Sequence, residues 1–457
     1  MTDLLIKGGS VYGADGPVEA DVRVTDGVIT GVEAGGVTRS GATVIDARGM
    51  YVMPGAIDVH VHSRDPGFPE KEDFGTLTSA AAMGGVTTVL DMPNTVPAVD
   101  AAGVLEAKSA LARPKARVDF GLWALVRSSS TEDELEALAA AGAVGFKAYL
   151  GYSFGISRKQ VLQAHEANDP DLEAPPDYGT LARLAPAMAR LGLPLAIHAE
   201  DPAILLAFRR PLETYADLLE SRPAEAEAVA ISAVAAIARD CGVSLHVAHL
   251  SSALGLRAAQ DAMGSGTRLT LETCPQYLWL TDQDFGRLGT SMKVFPPIRT
   301  AVDRDALVEA AASGVIRIVA TDHAPHTDEE KSRAFEQAPS GSPGVQSLYL
   351  SCLQLASRLG DISLAPRWVS EGPAALAGLQ QTKGTIAPGF DADLVIVDPS
   401  RTTLIRPALM RSKQRHGAFD GMDFRFGIRD VFLRGRAIVR DGKLTGRASG
   451  RKVRPAR

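Results

Sequence analysis

The chain has 457 residues, 45% hydrophobic and 22% charged, proportions of a soluble globular protein large enough for a main domain plus a smaller module. A formal net charge of −6 offers no basic field to nucleic acid or to an anionic membrane, and no apolar run approaches a membrane span. Three cysteines, Cys241, Cys274 and Cys352, contain no close pair, which excludes a disulfide framework and a thiolate zinc site.

The N-terminal MTDLLIKGGSVYG has no basic region followed by an apolar one, so it does not read as a signal peptide. With the cysteine usage this gives a cytoplasmic expectation. Residues 1–53 read as short strands punctuated by turn pairs such as Asp26-Gly27 and Arg48-Gly49. Residues 54–380 alternate apolar runs with Ala-rich helical stretches, the pattern of βα units around a parallel sheet. Eight such runs occur: GAIDVHV, VTTVLDM, VDFGLWAL, AVGFKAYL, PLAIHAE, SLHVAHL, RLTLETC and VIRIVATD. That number fits a (β/α)8 barrel. A doubly wound sheet is the runner-up, but no glycine-rich phosphate loop follows the first run. Residues 381–457 return to short strands. Each end alone has too few strands for a core, so the two ends are expected to combine as one small β-sandwich. The basic clusters Arg411-Ser412-Lys413-Gln414-Arg415 and Arg451-Lys452-Val453-Arg454 read as solvated tail.

Chemistry in a (β/α)8 barrel sits at the C-terminal ends of the strands. Metal-ligand residue types interrupt the apolar runs at that end: His60 and His62 in the first, His198 in the fifth, His249 in the sixth and Asp322 in the eighth. His60 and His62 are two apart on a strand, so both imidazoles share a face. A single histidine in an apolar run is usually a hydrogen-bonded core residue. Four of them, with Asp322, at one end of one barrel point to a metal site. Nitrogen and oxygen donors suit zinc, and also manganese, cobalt or iron. Lys147 ends the fourth run, where an unpaired ammonium is costly. Pairing with a carboxylate is one escape; reaction with carbon dioxide to a carbamate that bridges two cations is the other. The residue pattern alone leaves both open.

These motifs resemble the cyclic amidohydrolases, the group of dihydroorotase, allantoinase, hydantoinase and dihydropyrimidinase, within the amidohydrolase superfamily. The likeness runs through Pro54-Gly55-Ala56-Ile57-Asp58-Val59-His60-Val61-His62, Gly145-Phe146-Lys147, Ile197-His198-Ala199-Glu200, His249-Leu250-Ser251-Ser252 and Thr321-Asp322-His323-Ala324-Pro325-His326. The resemblance implies two divalent metal ions, zinc first among them. His60, His62 and Asp322 would hold one and His198 and His249 the other, with carboxylated Lys147 and a hydroxide bridging. It implies that Asp322 shuttles the proton from attacking water to the leaving nitrogen. Tyr152 matches a hydantoinase tyrosine that donates to the oxyanion, while a loop aromatic covering the barrel mouth is its plain alternative. A small cyclic amide is the implied partner, and a homo-oligomer, dimer or tetramer, the implied assembly.

Two sets of motifs bear on the substrate. Ser63-Arg64-Asp65-Pro66-Gly67, Met92-Pro93-Asn94-Thr95 and His326 resemble dihydroorotase, where the matching Arg, Asn and His hold the substrate carboxylate. A salt bridge from Arg64 to Asp65, Glu70 or Asp73 is the structural alternative. Glu272-Thr273-Cys274-Pro275-Gln276-Tyr277-Leu278, Met292-Lys293-Val294-Phe295-Pro296-Pro297, Gly378-Leu379-Gln380-Gln381 and Ser221-Arg222-Pro223 resemble allantoinase and hydantoinase instead. Many bacterial dihydroorotases of this size also carry Asp in place of Lys147. The expectation is therefore reversible opening of dihydroorotate to carbamoyl aspartate, with allantoinase or hydantoinase chemistry as the alternative. A non-catalytic assembly protein of the same fold is the remote one, opposed by the complete ligand set.

Overall fold

The computed structural model describes residues 3–14, 16–36, 41–163 and 169–456. All eight apolar runs of the middle segment form parallel barrel strands. They are Ala56–Val61, Val86–Asp91, a third in two pieces (Asp119–Leu122 and Ala124–Val126), Phe146–Tyr149, Leu195–His198, Leu245–Val247, Leu269–Thr273 and Ile318–Val319. Trp123 divides the third strand, and its indole N–H donates to the Val59 carbonyl at 3.0 Å. The ring closes where the His62 amide donates to the His323 carbonyl at 2.8 Å. The expected helices also form, among them Phe74–Met83, Glu132–Ala140, Tyr178–Leu191 and Ala224–Cys241. Asp73 and Thr131 cap two of them with their side chains, satisfying amides that have no partner in a first turn.

Strands from the two chain ends lie side by side in one nine-stranded sheet. Tyr51–Pro54 from the N-terminal part pairs antiparallel with Leu394–Asp398 from the C-terminal part, which joins the two halves at their centre. Asp26 and Gly27 both take positive φ, 53° and 85°, the geometry of a two-residue hairpin turn. The sheet has its own core, including Ile6, Val22, Ile29, Val52, Leu394 and Phe432.

Lys383 joins this sheet to the barrel. Its buried ammonium lies 2.9 Å from Asp119 on the third barrel strand, 2.6 Å from Asp393 and 2.9 Å from Asp391. Arg434 reaches Asp119 as well. The three carboxylates cluster as metal ligands do, but the lysine supplies the cation. Lys383→Met is expected to cost about 3–5 kcal/mol, the scale for stranding buried charges. A midpoint of unfolding that does not move would contradict this role.

Two features depart from the sequence reading. The basic clusters are not free tails. Arg451 N–H donates to Asp119, the Lys452 ammonium donates to the Ala141 carbonyl at 2.8 Å, and Val453 is buried against the barrel. Lys413 pairs with Asp73 at 2.6 Å. Arg451 and Arg454 are exposed while Val453 between them packs, which a count of charges does not reveal. The second is a small antiparallel sheet, Ser153–Gly155, Gln160–Leu162 and Leu172–Glu173, inserted after the fourth barrel strand. Strands of two or three residues carry no readable alternation. Among the described residues no helix is long and apolar enough to cross a membrane.

Candidate metal centre and substrate cavity

The C-terminal ends of the barrel strands enclose a cavity of about 260 Å³. Its lining includes His60, His62, Arg64, Asn94, Tyr152, His198, His249, Asp322 and His326. Lys147 is fully buried beside these groups, and its ammonium acts on His198, His249 and Asp322. Every site residue named from the sequence is thus brought to one place. A larger cavity of about 730 Å³ opens at the opposite end of the barrel, lined by residues such as Pro194, Ser244 and Ile316 that precede or begin the strands. None of the expected site residues lines it.

The four imidazoles form a chain: ring centroids are 5.4 Å apart for His62 and His60, 5.3 Å for His60 and His249, and 4.6 Å for His249 and His198. Oxygen acceptors set the tautomers of His60, His198 and His62. His60 Nδ1 donates to Glu272 Oε1 at 2.8 Å, so its Nε2 carries a bare lone pair. That Nε2 faces Asp322 Oδ1 at 3.4 Å. His198 Nε2 donates to Glu200 at 2.7 Å, which leaves its Nδ1 bare, 3.0 Å from His249 Nε2. His62 Nδ1 donates to Asn94 Oδ1 at 2.7 Å, and its Nε2 lies 2.9 Å from Asp322 Oδ1. At His60, His62 and Asp322, acceptors therefore converge on acceptors. His60, His62 and Asp322 each offer an atom within 4.8 Å of the others. Such a set is satisfied by a cation between the donors, so the residues present fit a metal.

The electrostatics agree. Burial lowers the imidazole pKa of His62, His198 and, most strongly, His249, which keeps them neutral as ligands must be. Burial opposes ionisation of Asp322, but His60 and His62 hold its carboxyl below the usual range. Burial brings the Lys147 ammonium down to about 8. Among the described residues its Nζ has no hydrogen-bond partner. The first escape open to a buried lysine, pairing with a carboxylate, is therefore not taken. Arg64, His249 and Asp322 all adopt left-handed backbone, φ 60°, 40° and 49°. That conformation costs about 1–3 kcal/mol per residue and is held at sites where geometry matters more than stability.

Above the ligands, Arg64 makes no ion pair with Asp65, Glu70 or Asp73. Asp65 pairs with Lys115 at 2.5 Å and Asp73 with Lys413. The Arg64 guanidinium instead donates to the Pro325 carbonyl at 3.3 Å and approaches His326 Nε2 at 3.2 Å. Asn94 lines the cavity with its oxygen already engaged by His62. The Tyr152 ring stands edge-on to His198 at 4.8 Å, and burial raises its phenol pKa, so the hydroxyl remains a donor.

Several functional neighbours carried no role in the sequence reading. Glu272 on the seventh strand holds His60, lies 3.2 Å from His246 and accepts the His249 amide. Although burial pushes its carboxyl up, His60 and His246 hold it below the usual range. Glu200 accepts from His198 and Arg222; burial opposes its charge, yet Arg222 and His198 hold its pKa at about 2. Arg222 stacks 3.6 Å above the Phe295 ring. A carboxylate inside an apolar strand run needs a buried partner, and that was the available signal for Glu272 and Glu200.

Comparison with known proteins accords with this geometry. The amidohydrolase family model matches residues 51–438. An allantoinase of Streptomyces avermitilis is 37% identical over 97% of this chain and 97% of its own length. A dihydroorotase of Pelotomaculum thermopropionicum is 35% identical over 96% of this chain and 99% of its own. The solved L-hydantoinase (dihydropyrimidinase) of Arthrobacter aurescens superposes with a TM-score of 0.90 at 28% identity, covering 98% of this chain and 99% of that one. A barrel with a β-rich domain, a nest of inward-facing acceptors and family-wide similarity agree on one conclusion: the chain belongs to the amidohydrolase family, as a cyclic amidohydrolase that hydrolyses carbon–nitrogen bonds in cyclic amides.

Proposed function

We propose that this enzyme opens and closes a cyclic amide bearing a carboxylate beside the ring nitrogen, as in the interconversion of dihydroorotate and carbamoyl aspartate. Arg64 carries this reading. Its guanidinium is partly buried at the cavity and, among the described residues, forms no ion pair with a carboxylate, and a guanidinium grips a substrate carboxylate through two parallel hydrogen bonds. His326 and Asn94 complete the clamp.

Two divalent cations, zinc in the first instance, would be held by His60, His62 and Asp322 on one side and His198 and His249 on the other. Lys147, carboxylated, would span them. An amine whose conjugate acid titrates near 8 keeps roughly a tenth of its population as free base at pH 7, the form that reacts with carbon dioxide. When bound, such a pair supplies Lewis acidity for the amide carbonyl and for the attacking water. The remaining work belongs to the side chains. Asp322 takes a proton from the water as the carbon–oxygen bond forms and delivers it to the ring nitrogen as the carbon–nitrogen bond breaks. Tyr152 donates to the developing oxyanion. Assembly as a cytoplasmic homo-oligomer, dimer or tetramer, is part of the same proposal and rests on cysteine usage and family likeness.

The second reading is allantoin hydrolysis, favoured by the allantoinase of Streptomyces avermitilis at 37% identity. Rates with dihydroorotate, allantoin, hydantoin and dihydrouracil separate the readings. Turnover of allantoin or of the rings without a carboxylate at least as efficiently as dihydroorotate would overturn the first. Asp322→Asn is expected to retain much of the metal while kcat falls by about 10²–10⁴-fold, the usual scale of general acid–base catalysis. An unchanged kcat would remove Asp322 from its role.

A further inference from the structure

His326 lies between two cations. Its Nδ1 is 3.2 Å from the Lys71 ammonium and its Nε2 is 3.2 Å from Arg64 Nη2. The same Nε2 is 2.9 Å from the Ser340 carbonyl, and Glu330 lies 3.5 Å from Nδ1. Lys71 is itself anchored, 2.7 Å from Glu330 and 5.1 Å above the Phe68 ring.

An ammonium has donors and no acceptor. If the His326 nitrogen that faces Lys71 accepts from it, the ring proton lies on Nε2. That N–H donates to Ser340, and Arg64 then meets a second donor, not an acceptor. Two donors facing each other leave the guanidinium unanswered, and an anion placed against it supplies the acceptor. In the other tautomer Nε2 would accept from Arg64, and the clamp would be satisfied by its own side chains. Glu330 favours that other tautomer, since its carboxylate lies within reach of a proton on Nδ1. Lys71 stands against it.

We propose that Lys71 is a specificity-determining positioning residue: by fixing His326 as the neutral Nε2–H tautomer, it prevents His326 from accepting from Arg64 and so keeps the guanidinium free to donate to a substrate carboxylate. Its bearing on substrate choice rests on the carboxylate reading above; its bearing on the tautomer does not. The ring is kept neutral by burial together with the charges of Arg64, Lys71 and Lys331, which outweigh Glu330 and bring its pKa down to about 3.

The test uses zinc-loaded, full-length enzyme with ¹⁵N-labelled histidine, the His326 signals being identified by their loss in His326→Gln. Wild-type enzyme should show a neutral Nε2–H ring between pH 6 and 8. Lys71→Met should move the proton to Nδ1. Lys71→Arg, which also presents only donors, should keep the wild-type signature. With Lys71→Met, KM for dihydroorotate should rise about 10–100-fold, the scale of one lost hydrogen bond to a charged group, with kcat changed less and dihydrouracil hydrolysis unaffected. A wild-type Nδ1–H ring, or an Nε2–H ring that persists in Lys71→Met, would overturn the tautomer assignment. A tautomer that shifts with equal effects on both substrates would overturn the specificity role. If the tautomer shifts as expected but wild-type enzyme does not favour dihydroorotate, the substrate reading fails and the control of His326 by Lys71 stands.

Discussion

Arg64→Met is expected to erase a preference of about 10⁴–10⁵ for dihydroorotate over dihydrouracil, the discrimination typical of a site built around a polar group that the poorer substrate lacks. The two rings differ by the carboxylate alone, so the comparison isolates the clamp. In the wild-type enzyme the ring without a carboxylate leaves the Arg64 guanidinium facing His326 with no anion between them. That desolvated, unanswered donor is the source of the penalty. Methionine keeps much of the side-chain volume and removes every donor. Arg64 is not among the metal-ligand groups, so metal content should stay at the wild-type level. Kinetics of both substrates with wild-type and variant enzyme, alongside elemental analysis, check the expectation. A variant that retains the preference would place carboxylate recognition elsewhere. A variant that loses metal would show that Arg64 supports the ligands.

Lys147→Ala should lower activity by about 10⁴-fold or more, because the lowering of the water pKa from 15.7 toward 7 disappears with the metal pair. Lys147 is fully buried, its Nζ has no partner among the described residues, and its charge acts on His198, His249 and Asp322 together. The alanine variant should bind less metal than the wild type. Short carboxylates added with metal should restore part of both metal content and activity, since they would occupy the space of the proposed carbamate. An alanine variant with full activity and full metal content would end the bridging role.

The sequence made the barrel legible because each strand is an apolar run and each connection an Ala-rich helix, so period and length agree at every unit. It made the proposed ligands legible because His60, His62, His198, His249 and Asp322 break those runs at one end, and strand direction alone places that end. The partners of the ligands were less visible. Glu272 and Glu200 lie in the same runs, but their roles depend on which imidazole nitrogen they face across the barrel, a relation with no sequence spacing. Asn94 was expected to bind substrate; its amide oxygen is engaged by His62, which fixes a ligand's tautomer in addition to lining the cavity. The contact of Lys71 with His326 joins the loop after the first strand to the loop after the eighth, 255 residues away. Likewise, Lys383 gathers aspartates from the barrel and the β-rich domain only once both are folded. The short strands after the fourth barrel strand were illegible because their length gives no period to read.

Under the proposed function, inward-facing acceptors at the end of the barrel hold a metal pair on which cyclic amide hydrolysis depends. Metal content of the purified enzyme, measured with dihydroorotate hydrolysis before chelation, after chelation and after zinc is returned, tests it most directly. About two divalent ions per chain are expected, as a two-metal hydrolase requires, with activity lost on their removal and recovered on their return. A chelated, metal-free enzyme that opens the ring at an undiminished rate would contradict the account.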